Sequence, residues 1–512
     1  MLLVLIPIVH LLGALLCLIG DRAARAVARV SWAVSAGLVV AVSVAVTRAG
    51  ELTVRVGGWP TRMGVELACD QVSLAFLALL TILHGSVLAY EWGTRRRRSF
   101  YVLVSVLVGA AAAFTLSRDL FNMYVLLELL TLASYLLVGH ARRPEQLWAS
   151  LKYLVLASFG MGLFLMGAAV IYAHLGTMNL PAIGEGLRAA GDAPWARLAA
   201  ALLVTGIGVK SGIFVLSLWL PAAHAVAPSS ISALLSGVVV KMGVLGLLRF
   251  AEILPVHDAL LVLGVLTGLL GIGFALFERD LKRMLAYSTL SQIGYALVAF
   301  SVGTRAGALA GDAYLAAHGL FKATLFLAAG TAIRATGETA VDRIAAARQK
   351  IPRAAGVALA VGTLGIVGLP PLAGFWAKEL ILTAGGGALV STMVVVLGVG
   401  TAAPFARIIP LLRLGRAGGV RVGERVALAA LSLGVVAFGG SVVWWRGGYG
   451  PALGQLALEA ARAVAVAATG ALAYALLKRS RVRLRCVRFF LEEATLIVLV
   501  VFFVVFALVG AD

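Results

Sequence analysis

The chain is a series of apolar runs, each about 20 residues long, joined by short polar connections. A run of about 20 apolar residues is the length that an α-helix needs to cross a bilayer. These runs are continuous, whereas the strands of a membrane β-barrel alternate in polarity. The pattern predicts an all-α polytopic membrane protein with about 14–16 transmembrane helices. The predicted spans are residues 2–20, 30–47, 71–92, 99–116, 119–139, 150–174, 197–219, 229–250, 257–277, 284–303, 311–333, 354–388, 389–412, 425–445, 455–477 and 490–510.

Two of these runs are interrupted by proline. The run 354–388 is too long for one helix and contains Pro370 and Pro371, and proline removes a backbone donor. The run 197–219 is followed by Pro221. Both interruptions fall in the fourth member of a set of five helices, so the pattern predicts two repeats, which must be inverted because five is odd. Inverted repeats with helices broken at mid-membrane are typical of transporters.

The repeats divide the chain into four predicted parts. One alternative concerns the run 455–477, which carries Glu459 and Arg462 and also fits an amphipathic helix at the membrane surface. The parts are N-terminal transmembrane helices (1–98), a first inverted repeat (99–250), a second inverted repeat (257–413) and C-terminal transmembrane helices (414–512).

Composition agrees with a membrane protein and leaves little room for a soluble domain. The 512 residues are 61% hydrophobic and 13% charged, against about 45–50% and about 25% in soluble domains. The net charge of +20 would suit a nucleic-acid partner, but the basic residues gather in alternate loops, as the positive-inside rule predicts. We therefore expect the plasma membrane of a prokaryote, with basic loops in the cytoplasm against anionic lipid, and no nucleic-acid partner. The basic loops are marked by Arg22, Arg95–Arg98, Arg142, Arg279, Arg343, Arg413 and Lys478.

Charged residues near the ends of runs are interpreted as solvated topology signals. This interpretation covers the cluster Arg95–Arg98 and the trio Asp280, Lys282 and Arg283. The first run lacks a basic segment before it and is interpreted as a retained helix, not a cleaved signal peptide.

No motif for a cofactor or a metal is present. The three cysteines, Cys17, Cys69 and Cys486, lie in different kinds of segment without metal-type spacing. The chain has no glycine-rich dinucleotide fingerprint between a strand and a helix and no cysteine set for an iron–sulfur cluster. We expect no cofactor and no catalytic redox site in this chain.

Six ionisable residues lie near the middle of apolar runs. A charge at the bilayer centre costs roughly 3 kcal/mol on insertion scales, and such residues usually line an ion path. The alternative is a static scaffold in which the charges pair, which several costly charges make the poorer explanation. The six residues are Glu128, Lys210, Lys241, His318, Lys322 and Lys378.

These residue types suit stepwise proton transfer. A carboxylate such as Glu128 near Lys210 stabilises the protonated amine, and its withdrawal lets the proton leave. His318 and Lys322 have the i, i+4 spacing that places them on one helix face, and a histidine titrates near neutral pH. The alternative for His318 is a hydrogen-bonded core residue.

Three further residues have open interpretations. Lys152 begins the sixth run and either joins the path or extends to the membrane interface. His224, in WLPAAHAVAP, is either an extra relay or a hydrogen-bonded cap. Glu379 follows Lys378 directly, so it points about 100° away and faces another helix or a protein partner.

Three segments carry a resemblance to a known family. They are WLPAAHAVAPSSISALLSGVVVKMGVLGLLRF, AHGLFKATLFLAAG and GLPPLAGFWAKELIL. Together they resemble the antiporter-like membrane subunits shared by complex I (NADH:quinone oxidoreductase), Mrp-type cation/proton antiporters and membrane-bound hydrogenases, over about residues 70–415. Matched motif by motif, the resemblance implies a proton path of Glu128, Lys210, Lys241, His318 or Lys322, and Lys378.

The resemblance also bears on which complex contains the chain. Lys378 stands where one type of complex I subunit has glutamate and others have lysine, and no long lateral helix is evident after residue 425, which disfavours the largest such subunit. The leading hypothesis is a proton-translocating subunit of a multi-subunit complex of the Mrp or hydrogenase type. A complex I subunit, a chain that drives a redox or solute-uptake partner, and a scaffold are the alternatives. Transport of Na+ as well as protons is left open.

Overall fold

The structure is a computed structural model that describes residues 1–191, 193–213, 216–412, 419–445 and 453–479. It is an α-helical bundle, and twelve helices in the described part are long and apolar enough to cross a membrane. The predicted helix 490–510, Cys486 and Arg413 lie outside the described residues. The helices are α1 Leu2–Leu16, α2 Asp21–Ala49, α3 Gln71–Tyr90, α4 Arg98–Leu116, α5 Leu120–Val138, α6 Pro144–Leu175, α7 Leu180–Ala190, α8 Pro194–Ser211, α9 Trp219–Val226, α10 Ser229–Leu234, α11 Val240–Ala251, α12 His257–Phe277, α13 Leu281–Phe300, α14 Arg305–Thr336, α15 Val341–Ala346, α16 Arg353–Val367, α17 Ala373–Thr383, α18 Gly387–Phe405, α19 Val422–Trp445 and α20 Leu453–Arg479.

A small hairpin joins α2 to α3, and the hydrophobic pattern did not predict it. Strands β1 (Leu52–Arg55) and β2 (Glu66–Cys69) pair antiparallel, with Leu52 opposite Cys69. Each strand has only four residues, which is too short for a clear period-two pattern.

The two broken helices are confirmed. α16 ends at Val367 and α17 begins at Ala373, so Pro370 and Pro371 lie in the break as predicted. The other break differs, because α8 ends at Ser211, well before Pro221. Gly212 ends α8 with a φ of 68°, a left-handed conformation that glycine adopts without strain.

Pro221 does not cause that first break. It lies in the first turn of α9, where a proline costs no intrahelical hydrogen bond.

The two predicted repeats have corresponding elements. α6 and α14 each have 32 residues and end at a left-handed glycine. Asp119 and Asp280 cap the starts of α5 and α13 with their side chains. The same two residues form isolated β-bridges, to Asn179 and Ala340, just before the short helices α7 and α15. This correspondence supports the repeat, and its inversion stays a prediction.

Helix α14 lies at the centre of the bundle and is buried along nearly its whole length. It carries His318 and Lys322, and α17, which packs against it, carries Lys378. Glu91 contacts Ser230 and Lys282 contacts Ala227, so these residues lie on one side of the bundle. We call this side, which also holds His140, the basic face. The side with Asp70, Arg118 and Arg249 is the opposite face.

Candidate functional site

A row of buried cations crosses the interior. A cation buried this deeply needs acceptors for its protons, because an unpaired one costs several kcal/mol. The exposed fractions are 1% for Lys210, 1% for Lys241, 0% for His318, 0% for Lys322 and 8% for Lys378.

Lys210 lies in the last turn of α8, beside the first break. Its Nζ donates to Thr131 Oγ1 on α5 at 2.5 Å. Glu128 lies one turn earlier on α5 and is only half-buried. Its charge acts on Lys210, although no ion pair within 4.0 Å joins the two in the described part of the chain. The structure therefore places the Glu128 carboxylate where its charge reaches Lys210 without a direct ion pair.

Lys241 and His318 meet at the centre of the bundle. Lys241 Nζ donates to the Ser236 carbonyl at 2.6 Å and lies 3.3 Å from His318 Nδ1. Ser236 belongs to a π-helical turn, Leu235–Val239, between α10 and α11. Such turns leave the regular helical hydrogen-bond pattern and are frequent at functional sites. The turn explains why a backbone carbonyl faces the lysine.

Lys322 lies one turn beyond His318 on α14 and faces α13. Its Nζ donates to the Leu285 carbonyl at 2.6 Å and to Ser288 Oγ at 2.5 Å. The charges of Lys241 and Lys322 both act on His318. The i, i+4 pair of His318 and Lys322 therefore lies between α11, which carries Lys241, and α13.

Lys378 lies on α17, just past the second break. Its Nζ donates to the carbonyls of Ile366 at 3.1 Å and Val367 at 2.8 Å. These carbonyls end α16, where they have no intrahelical partner. The Nζ atom also lies 5.1 Å from the centre of the Tyr295 ring, close enough for a cation–π interaction.

Polar side chains connect the region of Lys322 with that of Lys378. Tyr314 OH donates to Gln292 Oε1 at 2.5 Å, and Gln292 Nε2 donates to Ser291 Oγ at 2.9 Å and Thr401 Oγ1 at 3.2 Å. The Tyr314 and Tyr295 rings stack with centres 5.0 Å apart. Sequence reasoning missed these neutral residues because they carry no charge that stands out in an apolar run.

Corresponding positions near Lys210 carry related residues. Tyr153 and Tyr314 lie equally far from the starts of α6 and α14, and Thr131 and Gln292 equally far from the starts of α5 and α13. The Tyr153 hydroxyl is influenced by Ser134 and Thr131 but has no hydrogen-bond partner in the described structure, whereas Tyr314 donates to Gln292. The match is therefore one of position and not of hydrogen bonding, and the repeat stays a prediction.

The three residues with open interpretations are placed differently. His224 is fully buried, stacks on Phe326 with ring centres 4.5 Å apart and is acted on by the charge of Lys322. It therefore lies near the row. Lys152 is half-buried, and its Nζ lies 5.4 Å from the ring of the exposed Trp148. Glu379 contacts Arg462 of α20, so it points away from the row.

Lys282 corrects one prediction from the sequence. It was interpreted as a solvated topology signal, but it is 7% exposed and donates to the Ala227 carbonyl. Ala227 follows the last residue of α9, so its carbonyl has no hydrogen-bond partner within that helix. The chain folds the start of α13 against this connection, and linear position alone did not show that contact.

A buried carboxylate on the basic face was also missed. Glu91 accepts from Arg96 Nε at 2.9 Å, Thr94 Oγ1 at 2.7 Å and Ser230 Oγ at 2.5 Å. Burial raises the pKa of the Glu91 carboxyl, but the bonds and charge of Arg96 outweigh it, so the pKa lies below its ordinary value.

A second buried cluster lies on the opposite face. Asp70 accepts from Arg118 at 2.8 Å and Arg249 at 3.0 Å, and Arg249 also donates to Ser73 Oγ at 3.1 Å. Burial raises the pKa of the Asp70 carboxyl, but the charge and hydrogen bond of Arg249 hold it well below its usual range.

The arrangement as a whole suits proton exchange between amines, an imidazole and hydroxyls. Each buried lysine has one to two acceptors, and His318 Nε2 has no partner in the described structure. Within the same residues, no three His, Cys, Asp or Glu side chains are grouped as a metal site would need.

Comparison with known proteins gives a consistent result. The sequence profile of the family described as "NADH:quinone oxidoreductase/Mrp antiporter, TM" matches residues 117–403. NADH-quinone oxidoreductase subunit N of Desulforudis audaxviator is 31% identical over 73% of this chain and 80% of that protein. The D-type subunit of the Na(+)/H(+) antiporter of Bacillus subtilis is 32% identical over 66% of this chain and 70% of that protein.

Two solved structures share the fold. A chain of the membrane-bound sulfane sulfur reductase, an archaeal respiratory membrane complex, superposes with a TM-score of 0.79 at 22% identity, over 92% of this chain and 98% of that one. A chain of the Mrp complex from Dietzia sp. superposes with a TM-score of 0.76 at 22% identity, over 92% and 97%.

Proposed function

Because this chain belongs to the NADH:quinone oxidoreductase/Mrp antiporter transmembrane family, we propose that it translocates protons as one subunit of a multi-subunit membrane complex. The observation that carries the proposal is the row of buried cations, Lys210, Lys241, Lys322 and Lys378, together with His318. Several buried cations in one bundle are costly to keep unless they serve a path. A hydroxyl or a backbone carbonyl accepts a hydrogen bond from each of these lysines. Protein oxygen atoms therefore take the place of water around each group that holds a proton.

The first half of the path begins at Glu128 and Lys210. When the carboxylate is close, the Lys210 ammonium is favoured, and when it moves away the proton leaves for the next acceptor. Thr131 holds the Lys210 amine in place at 2.5 Å. The proton then passes to Lys241 and His318, which lie 3.3 Å apart.

The second half runs from His318 and Lys322 towards Lys378. His224 lies beside this segment, whereas Lys152 and Glu379 are not part of the proposed path. In this proposal the basic face lies in the cytoplasm, as the positive-inside rule requires, and the membrane is the plasma membrane.

The complex is of the Mrp or hydrogenase type in our leading proposal. The supporting observation is the 32% identity to an antiporter subunit named for sodium and protons, so Na+ is a candidate counter-ion. The second candidate is a proton-pumping subunit of NADH:quinone oxidoreductase, supported by the subunit N relative that the chain covers over 80% of its length.

The test is proton flux in proteoliposomes that contain the purified native complex. Lys210→Ala and Glu128→Ala are each expected to abolish pH-gradient formation, because each removes one partner of the first exchange step. Both complexes should still assemble. Lys152→Ala serves as a matched control, since the Nζ atom of that lysine lies near an exposed tryptophan. A static scaffold predicts unchanged flux in both alanine variants, and that result would overturn the proposal.

A further inference from the structure

A buried carboxylate that the row does not use lies on the central helix. Asp312, on α14, is 6% exposed, and neither of its carboxylate oxygens has a hydrogen-bond partner in the described structure. Buried polar groups are nearly always paired, so each exception calls for an explanation. A static role explains little here, because an unpaired buried carboxylate destabilises a protein.

Asp312 lies on the face of α14 that meets Lys241. Gly319 lies two helical turns from Asp312, on nearly the same face. A Cβ atom at Gly319 would lie 3.2 Å from Lys241 Cε. Asp312 is therefore about 10 Å from the level of Lys241, measured along the helix towards the opposite face.

Helix α11 provides the other wall of this seam. Arg249 lies two turns beyond Lys241 on α11 and is held by Asp70 and Ser73 at the start of α3. The charged groups that act on Asp312 are Arg249, Glu252 and Asp70, and Arg118 completes the cluster through Asp70.

Exposure increases along this cluster towards the surface. The side chains of Arg249, Asp70 and Glu252 are 6%, 26% and 51% exposed. A graded series of polar groups thus extends from the buried Asp312 to water on the opposite face.

We propose that Asp312 is the proton-exchange group through which a branch of the path opens to the opposite face, between α3, α11 and α14. The Lys241 ammonium gives up a proton and becomes a neutral amine, water in the seam carries the proton, and the Asp312 carboxylate accepts it to become a carboxylic acid. Asp312 then releases the proton to water past Asp70 and Arg249 and returns to the carboxylate. The proposal rests on the proposed function, because it needs a proton at Lys241.

The first experiment compares proton flux in proteoliposomes that contain the native complex with variants in this chain. Asp312→Asn should lower flux at least tenfold, and Asp312→Glu should restore part of it. The apparent melting temperature of Asp312→Asn should stay the same or rise, because the substitution removes a charge that had no partner. Glu51→Gln is the matched control, since it removes a carboxylate on the same face whose side chain is 50% exposed and which the branch does not use, and it should keep nearly full flux.

The outcomes separate this inference from the proposed function. Full flux in Asp312→Asn together with lost flux in Lys241→Ala overturns the Asp312 branch and leaves proton translocation standing. Full flux in both variants overturns proton translocation itself, and the branch with it.

A second experiment measures protonation at Asp312 directly. A hydrophobic carbodiimide adds to a protonated buried carboxyl and leaves a stable acylurea, which peptide mass spectrometry locates. In oriented vesicles, labelling of Asp312 should increase when the pH is lowered on the opposite face alone. Labelling that follows only the pH of the basic face, or no labelling at any pH, overturns the branch. Lys241→Ala should keep the labelling response, because that response depends on the outer segment of the seam and not on flux.

Discussion

Two of the buried lysines, Lys241 and Lys378, donate to backbone oxygen atoms that irregular backbone makes available. Lys378 binds the last carbonyls of α16, and Lys241 binds a carbonyl of the π-helical turn. These carbonyls are free because the helix ends or changes pitch there, and helix C-termini also carry partial negative charge. Irregular backbone therefore supplies the acceptors for these two lysines, whereas Lys210 and Lys322 use the hydroxyls of Thr131 and Ser288 and the Leu285 carbonyl.

The carboxylate of Glu91 allows a prediction about pH. Its pKa in the folded chain is below the ordinary value, so its ionised form stabilises the fold above about pH 4.3, the pKa of a free glutamate. That contribution is lost as the pH falls through the folded pKa. Glu91→Gln should lower stability at pH 7 by on the order of 1–3 kcal/mol, as for hydrogen bonds to a charged group. The melting temperatures of the two proteins in detergent should differ above about pH 4.3, the free value, and converge only as the pH falls further, through the lower folded pKa; a difference independent of pH contradicts this explanation.

At the scale of elements, the position of Lys210 depends on close contact between α8 and α6. Glycines lie on both sides of this lysine in the sequence, at positions 206, 208 and 212. A Cβ atom at Gly206 would lie 2.6 Å from the Gly160 carbonyl oxygen and 2.6 Å from the Phe164 amide nitrogen. Both are backbone atoms, which cannot rotate away. Small residues at such contacts are the usual way in which membrane helices pack closely.

Gly206→Ala should therefore separate α8 from α6 and displace Lys210 from Thr131. Overpacking of this kind costs about 1–3 kcal/mol, so we expect a lower melting temperature of the assembled complex and reduced proton flux. The control is Gly162→Ala on α6, where an added Cβ meets nothing within 4 Å. Equal behaviour of the two variants would show that the contact does not position the lysine.

The tyrosines at corresponding places in α6 and α14 give a second prediction for the elements. Tyr314→Phe keeps the stacking on Tyr295 but removes the hydrogen bond to Gln292. Proton flux should fall about fivefold, the equivalent of about 1 kcal/mol for one hydrogen bond. Tyr90→Phe is the control, because it removes a buried hydroxyl bonded to Thr331, away from the row of lysines. A loss of flux in both variants, or in neither, contradicts a specific role for Tyr314.

At the scale of the whole molecule, the proposed function makes this chain one subunit of a larger membrane complex. Both structural neighbours are chains of multi-subunit membrane complexes. The sequence predicts no redox cofactor in this chain, so in the proposed function any electron transfer belongs to other subunits. The partners then decide whether the proposed proton path runs with sodium exchange or with redox chemistry.

Purification of the tagged chain from its native membrane should yield a stable complex with several other membrane subunits. Mass spectrometry of that complex distinguishes small Mrp-like partners from hydrogenase or dehydrogenase subunits. Recovery of the chain by itself, in a mild detergent that preserves other membrane complexes, would contradict a role as a subunit.

The sequence alone determined the membrane class, the family and five of the buried basic residues, Lys210, Lys241, His318, Lys322 and Lys378, because each depends on local chemistry. Long apolar runs predict helices, and a lysine inside such a run is visible without any knowledge of its neighbours. The break at Pro370 and Pro371 was predicted for the same reason. The break after α8 was placed too late, because Gly212 and not Pro221 ends that helix.

The tertiary structure alone decided which groups face one another. Thr131, Gln292 and Tyr314 are neutral and lie in apolar helices, so only packing shows that Thr131 contacts Lys210 and that Tyr314 contacts Gln292. Lys282 differs from its sequence interpretation, and Asp312 was not singled out from the sequence, for a similar reason. Burial depends on what folds against a residue, and for these two the covering elements come from distant parts of the chain, as the contact of Lys282 with Ala227 shows.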